Sequence, residues 1–274
     1  MEDAILTTYV LCDELLNALD IHDDPQATIG MAQIMTVQLT AAHFFYGNIN
    51  QARVFLDEQA YIRPMLSESR LNRRIHAVPA LVWDALGHIL GATFQATNLD
   101  QEYCLDSFPI PVCDNIRIRQ CHLYQGEAYR GYIASKRRYF YGLRVHMLVT
   151  ASGAPVEFVL RPGAESDVAV FKDLNFDLPR NARCYADKIY NDYTHEALLL
   201  EALGISFEPL RKKNSTKETS YLNEHYKATI RRRIETSFSQ ITTLFPKSIH
   251  AVTARGFELK VICFIFAFSI SYFV

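Results

Sequence analysis

Three acidic residues lie in surroundings that are unusual for a carboxylate. Asp106 follows the apolar residues Tyr103, Cys104 and Leu105, and Asp187 directly follows the apolar residues around Tyr185. Glu235 stands beside Ile234 after a run of three arginines. An ionised carboxylate against an apolar core costs several kcal/mol unless a cation or a metal ion compensates it. We therefore interpret these three acids as a set that meets around divalent metal.

The chemistry that fits such a set is phosphodiester cleavage. Catalysis by two divalent ions needs oxygen ligands that converge on metals about 3.5–4 Å apart. Mg²⁺ prefers carboxylates and keeps several waters, so three acids are sufficient. We expect two ions of Mg²⁺ or Mn²⁺ and DNA as the substrate. Each acid taken alone is better explained as a turn or cap residue, and only the joint placement favours a metal site.

The elements around these acids predict how they come together. Asp106 lies in a predicted strand, Glu102–Phe108; Asp187 ends the strand 182–186; and Glu235 lies on a long helix from about Tyr221 to Phe245. Strand ends and a packed helix are held rigidly by a core, so they can make such residues converge. The segment between Pro109 and Arg138 is predicted to be irregular.

Further strands and helices complete the predicted catalytic region. Residues 139–150 alternate between apolar and polar side chains, which is typical of a half-buried strand, and 156–160 is predicted as its hairpin partner. Shorter helices and strands follow in alternation up to residue 210. This order predicts an α/β fold, with a mixed sheet flanked by helices.

The first 98 residues are predicted to form a separate helical domain, and residues 99–274 the catalytic domain with C-terminal helices. Apolar residues recur at helical spacing in the first part, and the three arginines Arg70, Arg73 and Arg74 cluster on one helix face. This pattern is typical of a helix-turn-helix-like DNA-binding domain. The alternative is a helical packing domain with a solvated charged face.

The distribution of charge favours a polyanionic partner. The net charge is only −2, but basic residues cluster around the acids in the sequence. Side chains that grip phosphates are what docking of double-stranded DNA requires. Besides the N-terminal arginines, the candidates for DNA contact are Arg137, Arg138, Lys188, Arg211, Lys212, Lys213, Arg231 and Arg232. His146, beside Arg144, is a weaker candidate for substrate contact.

The cysteines and the apolar C-terminal run indicate a cytoplasmic protein without a membrane anchor. The six cysteines include no CxxC pair, and no secretory leader precedes them, so we expect reduced thiols. Cys113, Cys121 and His122 match no standard zinc spacing. The run 261–274 is shorter than the roughly 20 residues that cross a bilayer, and it predicts a buried helix. The chain stops inside this run, which suggests a shortened product.

The three acids and their neighbours resemble the catalytic set of DDE transposases from bacterial insertion sequences. Leu105-Asp106-Ser107 resembles the first-strand aspartate of that family, and Ala186-Asp187-Lys188-Ile189-Tyr190 resembles its second motif. Arg231-x-x-x-Glu235, continuing as Thr236-Ser237-Phe238, resembles its glutamate signature. The resemblance implies a ribonuclease-H-like catalytic domain in which Asp106, Asp187 and Glu235 hold the metals. It also implies that the protein exposes a 3′-hydroxyl at the element ends and joins it to target DNA, as an oligomer.

Two positions differ from the family pattern. Ile189 stands where the family usually has glycine, and Thr242 stands where related branches carry lysine. These differences leave open whether this copy is active. The alternatives to a transposase are a nuclease of the same fold without strand transfer, and a catalytically inactive DNA-binding regulator.

Overall fold

The computed structural model of the chain describes residues 1–174, 176–211, 215 and 220–274. The chain divides into two compact units. The first comprises Met1–Leu90 with Gln240–Val274, and the second comprises Gly91–Ser239. The units differ in extent from the predicted domains, because the C-terminal helix belongs with the N-terminal helices. A separate DNA-binding role for the N-terminal region remains a prediction.

The first unit is helical. Its helices are α1 (Glu2–Ala18), α2 (Met31–Phe44), α3 (Ile49–Glu58), α4 (Glu68–Ala77), the first part of α5 (Ala80–Thr97), the end of α8 (Tyr221–Thr243) and α9 (Ala254–Ile270). Helix α2 packs against α1, α3 and α9, and its residues from Ile34 to Ala42 are buried. Most of α9 is buried as well, because Phe257, Phe264 and their apolar neighbours pack inside the unit.

Helix α9 is also long and apolar enough, with the short turn after it, to cross a membrane by length and composition alone. Two thirds of that segment is buried inside the protein, as in the core helix of a globular unit. The helix α4 and the helix α5 that follows it pass the same test only if they are taken as one bent span. These features are weak support for a membrane span.

The second unit is built on a mixed sheet, which has six strands within the described residues. The strands are β1 (Glu102–Asp114), β2 (Arg130–Ile133), β3 (Arg138–Thr150), β4 (Pro155–Pro162), β5 (Arg183–Ala186) and β6 (Ser206–Pro209). Strand β1 is central: it runs antiparallel to β3 and parallel to β5, which is parallel to β6. Strands β2 and β4 pair with successive stretches of β3. Helices α6 (Asp167–Asp173), α7 (Tyr193–Leu203) and α8 flank the sheet.

The predicted fold class is confirmed. The structure has the predicted α/β class, with a mixed sheet flanked by helices and a helical N-terminal region. The sheet is stabilised by Tyr103, Cys104 and Leu105 near the start of β1, all fully buried, and by β3, whose residues from Phe140 onward are buried except for Arg144.

The prediction of an irregular segment from Pro109 to Arg138 is wrong at both of its ends. Strand β1 continues to Asp114, paired with β3, and β2 forms before β3. A proline inside a strand usually interrupts its pairing, because proline has no amide hydrogen to donate to the neighbouring strand. Strand β5 pairs only with β1 residues 102–105. The side of β1 that faces away from β3 is therefore open beyond Leu105, and prolines are tolerated there.

One acid on β4 makes the stability of the protein pH-dependent. Burial, with a smaller contribution from Asp177, raises the pKa of Glu157 to about 7. Since the pKa of Glu157 is higher in the folded protein than in the unfolded chain, stability falls as the pH rises from about 4.5 through 7. We expect Glu157→Gln to raise the free energy of unfolding by about 1–2 kcal/mol at pH 8 and to leave it unchanged at pH 4. Urea unfolding at both values measures this, and an equal effect at the two pH values would contradict it.

Candidate active site

The sheet register places the two aspartates side by side. Leu105 of β1 pairs with Ala186 of the parallel strand β5. Asp106 follows Leu105 in the sequence, and Asp187 follows Ala186. Asp106 therefore lies inside β1 at the point where its parallel pairing with β5 stops, and Asp187 lies directly after the end of β5, beside it. Their side chains are 15% and 27% exposed, so both are partly withdrawn from water but accessible.

Helix α8 supplies the third acid. Ile230, Ile234, Phe238 and Ile241 form its buried stripe, and the ring of Phe108 on β1 packs against that of Phe238 in a tilted arrangement, with the centroids 4.6 Å apart. Phe108 and Asp106 are two residues apart on an extended strand, so both face α8. Glu235 follows Ile234 at the edge of the stripe, and its side chain is 55% exposed.

Arg231 joins all three acids. One of its guanidinium nitrogens, Nη2, lies 3.2 Å from Asp106 Oδ2, 3.4 Å from Glu235 Oε1 and 3.9 Å from Asp187 Oδ2. Because each carboxylate contacts the same nitrogen atom, the three side chains converge on one point. The structure thus brings the three predicted acids together around Arg231. Their catalytic role remains a prediction.

The electrostatics of this point follow from burial and charge. Burial raises the pKa of Asp106, although Arg231 and the Ser107 amide, which donates to Oδ1 at 2.8 Å, act in the opposite direction. Burial also opposes the charge of Arg231, but the carboxylates of Asp106, Asp187 and Glu235 raise its pKa above the ordinary value. The site therefore sets three carboxyl groups around one guanidinium group.

The donor set suits a hard divalent cation. Carboxylate oxygens are the protein ligands that Mg²⁺ and Mn²⁺ prefer, and three of them face a single cationic group here. In the described ranges, no group of three or more His, Cys, Asp and Glu side chains stands close enough together to hold an ion as it is. The guanidinium of Arg231 takes the place that the three carboxylates share. Asp106, Asp187 and Glu235 are the types of ligand that a divalent metal prefers. For a metal to bind them, the Arg231 guanidinium would have to move away from the three carboxylates.

A second cluster lies on the opposite face of the sheet. Ser107 neighbours Asp106 on β1 and so points the other way, and its Oγ donates to Asp167 Oδ1 at 2.7 Å. The hydroxyl of Tyr190 also donates to Asp167 Oδ1, at 3.4 Å. Burial, reinforced by the charge of Asp167, raises the pKa of Tyr190, so the phenol keeps its proton. Arg144 Nη1 donates to Ser107 Oγ at 3.2 Å, and His146 Nδ1 lies 3.3 Å from the Tyr190 hydroxyl.

Sequence reasoning missed this cluster. Ser166-Asp167 has the local pattern of a helix start, and Ser166 does cap α6 by accepting from the Ala169 amide. His146, a candidate for substrate contact, is fully buried, and burial lowers its pKa well below the ordinary value. It is therefore neutral at pH 7 and does not face solvent.

The basic residues predicted to contact DNA have different surroundings. Arg137, Lys188 and Arg232 are exposed in the second unit, and Arg138 is exposed with its Nη1 3.3 Å from Asp114 Oδ1. In the first unit Arg70 and Arg73 are exposed on α4, whereas Arg74 is partly buried and pairs with Asp23 at 3.7 Å.

Arg211 has a partner within the protein. It forms two hydrogen bonds of 2.7 Å with the buried carboxylate of Glu196, and its side chain is 10% exposed. Its guanidinium also lies over the Tyr193 ring, 5.2 Å from the centroid. These contacts anchor the residue to α7, so we leave it out of the proposed DNA surface. Lys212 and Lys213 lie outside the described residues.

The residue that replaces the family glycine is tolerated by the backbone. Ile189 is not among the described non-glycine residues with a positive φ, and it lies on the short 3-10 turn Lys188–Tyr190 with its side chain about half exposed. The turn after Asp187 therefore forms without the conformational freedom of glycine.

Comparisons with known proteins identify the family of the chain. Residues 96–250 match a family model described as a transposase DDE domain. No curated protein matches the chain. A solved structure of piggyBac transposase, in a synaptic complex with hairpin DNA, is similar over 99% of this chain and 72% of that chain, with 11% sequence identity and a TM-score of 0.47. That similarity is too low to carry an argument. The family match spans more than half of the chain and includes Asp106, Asp187 and Glu235, so this protein belongs to the family of transposases with a DDE domain.

Proposed function

We propose that this protein is a transposase that cuts the ends of its own DNA element and joins the new 3′-hydroxyl to target DNA. The observation that carries the proposal is the convergence of Asp106, Asp187 and Glu235 on a single cationic point. The family match over the same residues supports it. Hydrolysis and strand transfer are the same in-line displacement at phosphorus with different nucleophiles, water and then the 3′-hydroxyl, so one site serves both.

In this proposal the three carboxylates hold two Mg²⁺ or Mn²⁺ ions. Two such ions supply activation of the attacking oxygen and stabilisation of the departing one. The protein's own contribution is rigidity. Asp106 and Asp187 are fixed by paired strands, and Glu235 is fixed by the buried stripe of α8. No side chain becomes covalently bound to DNA in this scheme.

Arg231 is the residue that we expect to contact a phosphate beside the acids. It carries a permanent charge and a planar donor fork, which suit phosphate as well as carboxylate. Arg137, Arg138, Lys188 and Arg232 are exposed in the same unit and supply further sites for the DNA backbone. Arg70 and Arg73 are exposed on α4 and are the candidates for recognition of the terminal inverted repeats. We propose that the protein acts in the cytoplasm as a homo-oligomer, since two element ends must be processed together.

A strand-transfer assay tests the proposal. Purified protein is mixed with duplexes that carry the element end, either intact or pre-cut to expose the 3′-hydroxyl, and with a supercoiled target plasmid. We expect cleavage of intact ends and joining of pre-cut ends to the plasmid, both lost when EDTA removes the metal. A duplex of scrambled end sequence is the control.

Each other outcome would indicate a different function for the protein. Degradation of all DNA without joined products would indicate a nuclease of the same fold. Specific binding of the element end without any metal-dependent cleavage would indicate an inactive regulator. Joining of scrambled and native ends with equal efficiency would contradict the recognition of an element end.

A further inference from the structure

Asp167 touches both segments that carry the catalytic aspartates, although it lies on the other face of the sheet. Its Oδ1 accepts a hydrogen bond of 2.7 Å from Ser107, which follows Asp106 on β1. The same oxygen accepts a hydrogen bond of 3.4 Å from Tyr190, which lies on the turn after Asp187. One carboxylate oxygen therefore links the two segments that carry the acids.

Each link continues to an acid through short backbone contacts. The Ser107 amide donates to Asp106 Oδ1 at 2.8 Å, so a shift of Ser107 changes the orientation of that carboxylate. The Tyr190 amide donates to the Asp187 carbonyl at 3.0 Å and closes the turn that begins at Asp187. Strand β5 pairs with β1 only up to Leu105 and Ala186, so pairing between these two strands stops one residue before each acid.

Asp167 is well suited to hold these groups in place. It is 8% exposed, at the first position of α6, and is the carboxylate toward which Ser107, Tyr190 and the guanidinium of Arg144, 3.9 Å away, all point. The Tyr190 ring packs edge-on against Phe171 of the same helix. Hydrogen bonds inside a buried polar network restrict the motion of the groups that they join.

We propose that Asp167 is a positioning residue that sets the separation and orientation of Asp106 and Asp187 through Ser107 and Tyr190. This inference rests on the proposed function, because it assigns Asp167 a role in holding the metal ligands. The residue touches neither DNA nor metal. It acts on the acids through the sheet, and its loss loosens the metal site without changing the DNA-binding surface.

The test compares three variants with a matched control. Ser107→Ala and Tyr190→Phe each remove one hydroxyl donor, and Asp167→Ala removes the carboxylate that accepts from both. The control is Asp173→Asn on the same helix, an exposed acid whose Oδ2 lies 3.7 Å from Arg161. Mn²⁺ affinity is measured on the whole chain by electron paramagnetic resonance without DNA. The cleavage rate of the element end at saturating Mn²⁺, the dissociation constant for the duplex and the Tm are measured beside it.

We expect Ser107→Ala and Tyr190→Phe to weaken Mn²⁺ binding and to slow cleavage by about tenfold each, the scale seen when outer partners of metal ligands are removed. Duplex affinity is expected to stay within about twofold of wild type, as for Asp173→Asn. In the Asp167→Ala background, removal of either hydroxyl should add little further loss, since the acceptor of both hydrogen bonds is already absent. Ser107→Thr, which restores a hydroxyl, should recover most of the activity that Ser107→Ala loses.

The outcomes separate this inference from the proposed function. If the wild type cleaves but the two hydroxyl variants bind Mn²⁺ as Asp173→Asn does, the role of Asp167 is overturned and the function stands. A lowered Tm with unchanged Mn²⁺ affinity also overturns it, because the cluster is then only structural. If the wild type binds Mn²⁺ without cleaving, the function fails, and the Mn²⁺ affinities alone decide the role of Asp167. A wild type that binds no Mn²⁺ overturns both.

Discussion

Asp187→Asn is expected to reduce metal-dependent cleavage of the element end by about 10³-fold, or about 4 kcal/mol of transition-state stabilisation. The amide removes one negative charge and one ligand oxygen from a site with three acids. Asp187 is the acid furthest from Arg231, at 3.9 Å, so its replacement disturbs the ion pairs of Asp106 and Glu235 least. The measurement is single-turnover cleavage of a labelled duplex at saturating Mg²⁺.

The fold of this variant is expected to survive. Asp187 Oδ1 accepts from the Lys188 amide at 2.7 Å, and an asparagine oxygen makes the same bond. The Tm should therefore remain within a few degrees of wild type, and duplex affinity should not fall, since the loss of a negative charge favours a polyanion.

Asp100→Asn is the matched control. Asp100 is exposed, lies in the second unit and precedes β1, and its replacement should leave cleavage unchanged. Cleavage by Asp187→Asn within about tenfold of wild type would show that the carboxylate is not a metal ligand of the reaction, because loss of a true ligand costs far more. Loss of duplex binding in the same variant would point to misfolding instead.

The three acids could be singled out from the sequence only as a set, because each alone is better explained as a turn or cap residue. Asp187 directly follows β5, whereas Asp106 follows three apolar residues inside β1. That these two strands are parallel neighbours, with Leu105 opposite Ala186, is a property of the sheet register. No local pattern specifies the partner of a short buried strand, so the adjacency of the two acids had to come from the structure.

The contacts of residues whose hydrogen-bond partners are distant in the sequence could not be predicted from the sequence. Ser107 and Asp167 are 60 residues apart, and each has an adequate local explanation as a strand or helix-start residue. Arg211 stands in a basic segment that favours DNA contact, yet its partner is the buried Glu196 on α7. Charge patterns in a sequence indicate which residues are ionised. They do not indicate which carboxylate an arginine will reach.

The contacts of Arg231 were also only partly predictable from the sequence. Its spacing from Glu235 predicts a shared helix face, and the structure has that contact at 3.4 Å. The sequence also places it among the basic residues that flank the acids. In the structure it is the group on which all three acids converge. Its position suggests that the acids hold either the guanidinium or metal, and that the change between the two involves DNA.

Arg231→Gln is therefore expected to have opposite effects on metal and on DNA. Without the guanidinium, three carboxylates face one another with no counter-charge, and the metal-free protein should lose about 2 kcal/mol of stability. Metal no longer has to displace a cation, so its affinity should rise about tenfold, a gain of about 1.4 kcal/mol. Addition of Mg²⁺ should then raise the Tm of the variant more than it raises that of the wild type, because binding to the folded state alone stabilises it.

Duplex binding is expected to change in the other direction. If Arg231 contacts a phosphate once it leaves the acids, its loss weakens binding and lowers the slope of log affinity against log salt by about 0.9. Arg233→Gln is the control, because Arg233 is exposed, lies two residues away on α8 and contacts none of the three acids through a described ion pair. Its metal-induced Tm shift should equal that of the wild type.

The two measurements test separate parts of this account. Equal metal-induced Tm shifts in Arg231→Gln and wild type would mean that metal binds without displacing the guanidinium. An unchanged salt slope would mean that Arg231 stays with the acids when DNA is bound. If both effects appear, the affinity of the wild type for metal must rise when duplex is present, because phosphate then competes with the carboxylates for the arginine, and the Arg231→Gln variant must lose that coupling.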